Sequence, residues 1–167
     1  MTFSCRSCDS KKIREILDLG NQPWGNDFIK IKKNETNKTY PLNFVICENC
    51  KMSQINYTVP KEEMFRHHSY MSGTTKTLKS HFAQIAMQIL KKFSPDQKSY
   101  ILDIGGNDGS FLENFQNKNI KVLNVDSGIK QSLLSNQKGI ECINEYFNED
   151  IATAILNKNG QASVIHG

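Results

Sequence analysis

Two CxxC pairs, Cys5–Cys8 and Cys47–Cys50, constrain the first fifty residues more tightly than any other feature of this sequence. Thiolates three positions apart on a tight knuckle can face one ion, and two such knuckles complete the closed tetrahedral set that structural zinc prefers. The 38 residues between the knuckles form an insertion, and the pattern predicts a hairpin there. IKIKK (29–33) alternates apolar and basic, ETN (35–37) supplies a turn, and YPLNFVI (40–46) runs into the second knuckle. A redox CxxC would call for one pair in a βαβ context, and disulfides for an oxidising compartment. MTFSCRSCDSKK has no apolar h-region, so no secretory signal is visible and a reducing cytoplasm is expected. With four sulfurs the sphere is full, so the metal folds the module rather than catalysing. Cys142 lies far off among apolar neighbours and reads as buried.

Composition narrows the remaining classes. The 167 residues are 38% hydrophobic and 23% charged, without repeats or low-complexity tracts. A formal charge of +4 is dilute, and its densest spots, KK (11–12) and IKIKK, read as solvated faces because no basic stripe interleaves with aromatics. Nucleic acid is therefore not the expected partner. No apolar run approaches the roughly 20 residues of a membrane span.

After Cys50 the chain divides by pattern into a connecting segment (61–95) and an α/β region (96–167), behind a zinc module of residues 1–60. Pro60 followed by KEEMF suits a helix start, with proline in the first turn and acids near the positive end. Leu78, Phe82, Ile85, Ala86, Ile89, Leu90 and Phe93 recur at spacings of three and four, predicting an amphipathic helix of about five turns that stops before Ser94–Pro95. Between the two lies HHSYMSGTT, which is either a solvated linker or a loop that lines a site. His67 and His68 point apart on any regular backbone, so they do not make a second metal site.

From residue 99 the elements alternate as in a parallel sheet. SYILDI (99–104) reads as strand, SFLENFQ (110–116) as helix, KVLNVD (121–126) as strand and IKQSLLSNQ (129–137) as helix. GIECINEYF (139–147) contains the third strand, EDIATAILNK (149–158) is a helix, and ASVIH (162–166) begins a fourth strand. The first strand opens on GGNDGS. No lysine follows Gly109 as a Walker loop requires, and Asn107 and Ser110 stand where a dinucleotide fingerprint needs glycine. What remains is Asp103, Gly105 and Gly109, a spacing suited to a nucleoside carrying an amino acid. In this reading Gly105 lets backbone approach the ligand, Gly109 permits a positive φ, and Asp103 answers a cationic amine. Asp126 ends the next strand 21 residues after Gly105, where an acid can chelate both ribose hydroxyls. Loop, acid and context together favour S-adenosylmethionine. A plain Asn-Gly or Asp-Gly turn would explain the tightness of the loop but not the acid at each strand end.

CRSC, DLGNQPWGNDF (18–28), YPLNFVICENCKMSQ (40–54), SYMSG and LDIGGNDGSFL together resemble the sugar C-methyltransferases. In that family a small zinc-binding domain precedes an S-adenosylmethionine methyltransferase domain, and members methylate a carbon of nucleotide-linked deoxy-keto-sugars. The resemblance implies zinc ligation by Cys5, Cys8, Cys47 and Cys50. It implies cofactor contact at Asp103, Gly105, Asn107, Asp108 and Gly109, with Asp126 on the ribose. It also places Tyr70 beside the sugar as the candidate catalytic residue. The family shows Tyr-x-Tyr before the serine here, whereas this chain has His68-Ser69-Tyr70, and Ser163 stands where an acid precedes the fourth strand.

The expected fold is thus a Rossmann-like half-sheet behind a small zinc-binding α+β module. The family continues well beyond VIHG with further sheet, another α/β domain and a His-Glu pair used in its chemistry. The expectation is a fragment or truncated frame, inactive alone, that needs its missing half or a partner chain. Carbon becomes nucleophilic only after loss of a proton beside the ketone, so the chemistry needs a base and a donor for the enolate oxygen. Tyr70 is the candidate donor here, and the base is expected from the absent half. Two alternatives stand beside this reading: a non-catalytic zinc-ribbon and Rossmann-like binding module, and a methyltransferase of an oxygen or nitrogen acceptor.

Overall fold

The computed structural model describes residues 3–25, 38–95 and 98–167, which fall into two compact units, Met1–Met64 and Phe65–Gly167. The expected strand IKIKK and turn ETN lie outside the described residues.

The first unit is a three-stranded antiparallel sheet in the order β1-β2-β3: β1 (Ile13–Gln22), β2 (Tyr40–Cys47) and β3 (Ser53–Ile55). YPLNFVI forms β2 as expected. Its partner is β1, IREILDLGNQ, whose mixed acids, asparagine and glycine hide it from a strand search. Register shifts between Glu15 and Leu17 and between Asp18 and Asn21 explain the missing period-two alternation. A one-turn helix, α1 (Lys61–Phe65), follows Pro60.

The second unit opens with the 66–71 loop and a short 3-10 turn, Ser72–Thr74, which leads into α2 (Lys76–Phe93). The Thr75 hydroxyl accepts from Leu78 N at 3.3 Å and caps the helix, which ends at Ser94 in the left-handed region. Then come β4 (Tyr100–Ile104), α3 (Glu113–Gln116), β5 (Lys121–Val125), α4 (Ile129–Gln137), β6 (Cys142–Ile143), α5 (Glu149–Asn159) and β7 (Val164–His166). The expected helix over 110–116 is cut to its last four residues, because Asn107 and Gly109 both take positive φ and the loop turns on to Leu112 before a helix can start.

All four strands run parallel in the order β6-β5-β4-β7. The chain builds outward from β4 through β5 to β6, then crosses to the other side of β4. A switch point of this kind opens a crevice at the carboxyl ends of the strands. Alternate residues of YILDI face opposite layers. Ile101 packs with Ala86, Phe111, Leu112, Phe115 and Ile140, while Tyr100 and Leu102 pack with Leu123, Val125 and Ile155. Helices therefore cover both faces of β4, and its burial is continuous until Ile104 at the crevice. No helix among the described residues is long and apolar enough to cross a membrane.

Candidate functional site

The two knuckles are built alike. Cys5 N donates to Ser10 O and Cys47 N to Met52 O, each at 2.9 Å, while Asp9 N and Lys51 N close turns onto Cys5 O and Cys47 O, also at 2.9 Å. Asp9 (φ 57°) and Lys51 (φ 65°) are the left-handed residues that complete the two turns. Cys5 and Cys47 are buried, Cys8 is half-buried and Cys50 exposed, and the four sulfurs all lie within 4.8 Å of one another. Cys5 Sγ is 3.6 Å from Cys50 Sγ, and Cys8 Sγ is 3.7 Å from Cys47 Sγ. A tetrahedron of thiolates at the usual Zn–S length has edges of about 3.8 Å. The donor set therefore fits zinc without rearrangement.

Amide donors beside Cys5 and Cys8 favour the thiolate at these two sulfurs. Gln54 Nε2 donates to Cys5 Sγ at 3.3 Å and Ser7 N at 3.4 Å, and Asn49 Nδ2 donates to Cys8 Sγ at 3.6 Å. The Gln54 amide and then the Ser7 backbone N–H bring the Cys5 thiol down to about 6, and Asn49 likewise lowers Cys8.

In the second unit the glycine loop folds back over the end of β5. Gly105 N donates to Val125 O at 2.7 Å, Asn107 N to Asp126 Oδ2 at 2.8 Å, and Asn124 Nδ2 to Asn107 O at 2.9 Å. Gly105 has φ +72°, and a Cβ there would meet nothing within 4 Å, so its α-carbon faces open space. Gly106 is the tight point, since a Cβ would come within 2.4 Å of Asn124 Oδ1 and 2.6 Å of Asp103 Oδ2. Gly109 (φ +74°) lets the loop press on Ser135 of α4.

A cavity of about 410 Å³ opens over this loop at the carboxyl ends of the strands. Gly105, Asn107 and Asp126 line it, with His68, Tyr70 and Ser72 from the 66–74 segment and Glu145–Phe147 after β6. HHSYMSGTT is therefore not a solvated linker. Asn107 Nδ2 donates to Tyr70 O at 3.2 Å, Asn107 Oδ1 accepts from Ser72 N at 3.0 Å, and Asp108 Oδ2 accepts from Gly73 N at 3.3 Å. The structure thus brings Gly105, Asn107, Asp126 and Tyr70 to one cavity. Asp126 is buried, and its other oxygen accepts from Gly128 N at 2.7 Å.

Asp103, Asp108 and Gly109 are not among its lining residues. Asp108 sits 3.3 Å from Lys138 Nζ beneath the loop. Asp103 is 2% exposed, with Oδ1 2.7 Å from Nδ1 of His166, its register partner on β7. Burial raises the Asp103 carboxyl above its ordinary value, and the His166 contact opposes that rise. The imidazole lies over Phe111, centroid to centroid 4.2 Å. Cys142 is half-buried, and burial raises its thiol.

The family described as "Putative zinc binding domain" matches residues 5–65, a span that holds all four clustered cysteines. A curated relative, C-methyltransferase NovU of Streptomyces niveus, is 20% identical over 164 residues, 98% of this chain and 39% of that protein. The resemblance to the C-methyltransferases holds along the chain. The zinc-binding match and the four-sulfur cluster together support zinc as the metal. The chain spans about two-fifths of the length of the relative, 39% by alignment.

Spacing alone did not reveal Gln131 or Asn124. Both are fully buried polar residues on elements that read as ordinary helix and strand. Gln131 Nε2 donates to His68 O at 3.0 Å and Tyr70 O at 2.9 Å, pinning the lining segment against α4. A glutamine that shares the buried face of α4 with Ser132 and Ser135 in IKQSLLSNQ was the available signal.

Proposed function

We propose that this chain carries the zinc module and the nucleoside-binding half of an S-adenosylmethionine-dependent methyltransferase whose acceptor is a carbon of a nucleotide-linked deoxy-keto-sugar. The cavity at the switch point carries the reading: it joins the open α-carbon of Gly105 to the carboxylate of Asp126. A nucleoside can lie against bare backbone at Gly105 while its ribose hydroxyls donate to Asp126. Two of the carboxylate's lone pairs hold Asn107 N and Gly128 N, which fixes its direction and leaves acceptor capacity for a ligand.

When bound, the cofactor supplies an electrophilic methyl group on sulfur. The residues of this chain position the reactants and keep water out, and that is where most of the rate advantage of such a transfer arises. Tyr70, held through its backbone by Asn107 and Gln131, presents its hydroxyl to the acceptor and donates to the enolate oxygen that forms when a general base other than Tyr70 takes the α-proton. The zinc module stays out of the chemistry, since four thiolates leave no open coordination position. The likeness to NovU supports the methyltransferase class, and the sugar acceptor rests on the wider family resemblance.

Calorimetry with S-adenosylhomocysteine tests the cofactor reading. Wild-type chain binds it, and Asp126→Ala weakens binding by about tenfold or more, as expected for loss of a charge-assisted hydrogen bond. No heat of binding in the folded, metal-loaded wild type would sink the proposal.

A further inference from the structure

His68 occupies the position where the resembling family carries the first tyrosine of its Tyr-x-Tyr, and it lines the cavity half-buried. Its ring is not free to choose a tautomer. Gln131, with no exposed surface, brings Nε2 within 3.0 Å of His68 O, 2.9 Å of Tyr70 O and 3.3 Å of His68 Nδ1. Two of those three neighbours are carbonyl oxygens, which only accept, so the NH₂ end of the amide must face them. Turning the amide over would set Oε1 against two carbonyls. With its two hydrogens directed at those carbonyls, the amide nitrogen has nothing to accept a proton carried on Nδ1 3.3 Å away, so the neutral ring that fits here keeps the lone pair on Nδ1 and its proton on Nε2.

The position of His68 follows from its neighbours. Ile129 N donates to Arg66 O at 3.1 Å, and Arg66 Nη1 donates to Ser127 O and Asn144 O at 3.3 Å. With Gln131 these contacts lay residues 66–70 along the 127–131 turn that follows Asp126. A ribose hydroxyl both donates and accepts, whereas an ionised carboxylate only accepts. A diol held by Asp126 therefore leaves oxygen lone pairs that want a donor, and no lysine or arginine is among the described lining residues. The hydroxyls of Tyr70, Ser72 and Ser127 rotate, whereas the His68 ring is set by its contact with Gln131.

We propose that Gln131 holds His68 as the Nε2–H tautomer and that His68 donates from that nitrogen to a ribose hydroxyl of the nucleoside received by Asp126. This rests on the nucleoside reading of the cavity given above.

Calorimetry with S-adenosylhomocysteine and with its 2′,3′-dideoxy analogue tests the contact. His68→Phe weakens the parent ligand about tenfold, the usual effect of one lost hydrogen bond in a desolvated site. The same variant leaves affinity for the dideoxy analogue within about twofold of wild type, and His68→Gln, which keeps an N–H donor, restores most of the loss. Long-range ¹⁵N–¹H correlation of His68 finds Nδ1 unprotonated in the wild type and protonated in Gln131→Glu, where a carboxylate replaces the amide donor. Equal penalties on both ligands, no penalty on either, or a protonated Nδ1 in the wild type overturns the assignment of His68 alone. A wild-type chain that binds neither ligand overturns the cofactor reading and this proposal with it.

Discussion

The two units are held together by different physics. In the second, two apolar clusters sandwich the parallel sheet, and Ile101, Leu112, Phe115 and Ile140 have no exposed surface. In the first, the buried hydrophobic positions among the described residues are Cys5, Val45 and Cys47, and nine of the ten residues of β1 are exposed. A sheet with one buried valine cannot offset the ordering entropy of some fifty residues, at about 1 kcal/mol or more for each backbone position. Among the described residues, the feature able to supply the difference is the four-sulfur cluster, where metal binding and folding are one equilibrium. The contrast teaches that apolar burial and ligation are interchangeable ways to fix a backbone, with different vulnerabilities.

The sharpest way to break the contrast is to remove the metal. Chelation, or Cys47→Ser, unfolds the first unit completely while the second keeps its dispersed amide spectrum, since structural zinc supplies on the order of 10 kcal/mol to modules of this kind. A metal count and a two-dimensional NMR spectrum before and after read both units at once. Survival of the first unit's spectrum without metal would mean that its sheet stands by packing alone. The converse change is Phe115→Ala, which empties a fully buried site between Phe111 and the sheet. It costs the second unit about 3–5 kcal/mol and leaves metal content unaltered, as denaturant melts paired with zinc assays will show.

The smallest effect is electrostatic and touches the second unit alone. Burial raises the Asp103 carboxyl above its ordinary 3.8 despite His166. A raised acid contributes its full stability below the unfolded value and loses that contribution as pH rises through the folded one. Wild type should therefore lose stability relative to Asp103→Asn as pH climbs from about 4 through this higher window. Urea melts of both proteins over that range check the slope. A difference that stays flat, or that grows in favour of wild type, shows the His166 contact outweighing burial.

Much of the second unit was legible along the chain. Residues 129–137 form α4 with the bounds that their pattern predicts, and β4 and β5 end at the residues that precede the glycine loop and Asp126. These elements satisfy their periodicity locally, so neighbours in sequence carry the information. The strand β1 was hidden because its register shifts break alternation, and only pairing with β2 reveals it. The helix over SFLENFQ was overestimated because two residues of positive φ spend its first turn on the loop. Within the site, Gly105, Asn107, Asp126 and Tyr70 do meet at one cavity. The partners of Asp103 and His68 did not follow from spacing, since His166 and Gln131 stand 63 residues away from each.

By itself the sequence determined what depends on short separations: two knuckles able to grip one ion, the tight turn after β4, and the acid 21 residues past Gly105. Tertiary structure alone decided which buried polar groups face each other. Parallel register sets Asp103 beside His166, and the packing of α4 sets Gln131 beneath His68. Hydrogen bonds of that kind act over about 3 Å in space and carry no trace in linear spacing, because any register of the strands would leave the same sequence.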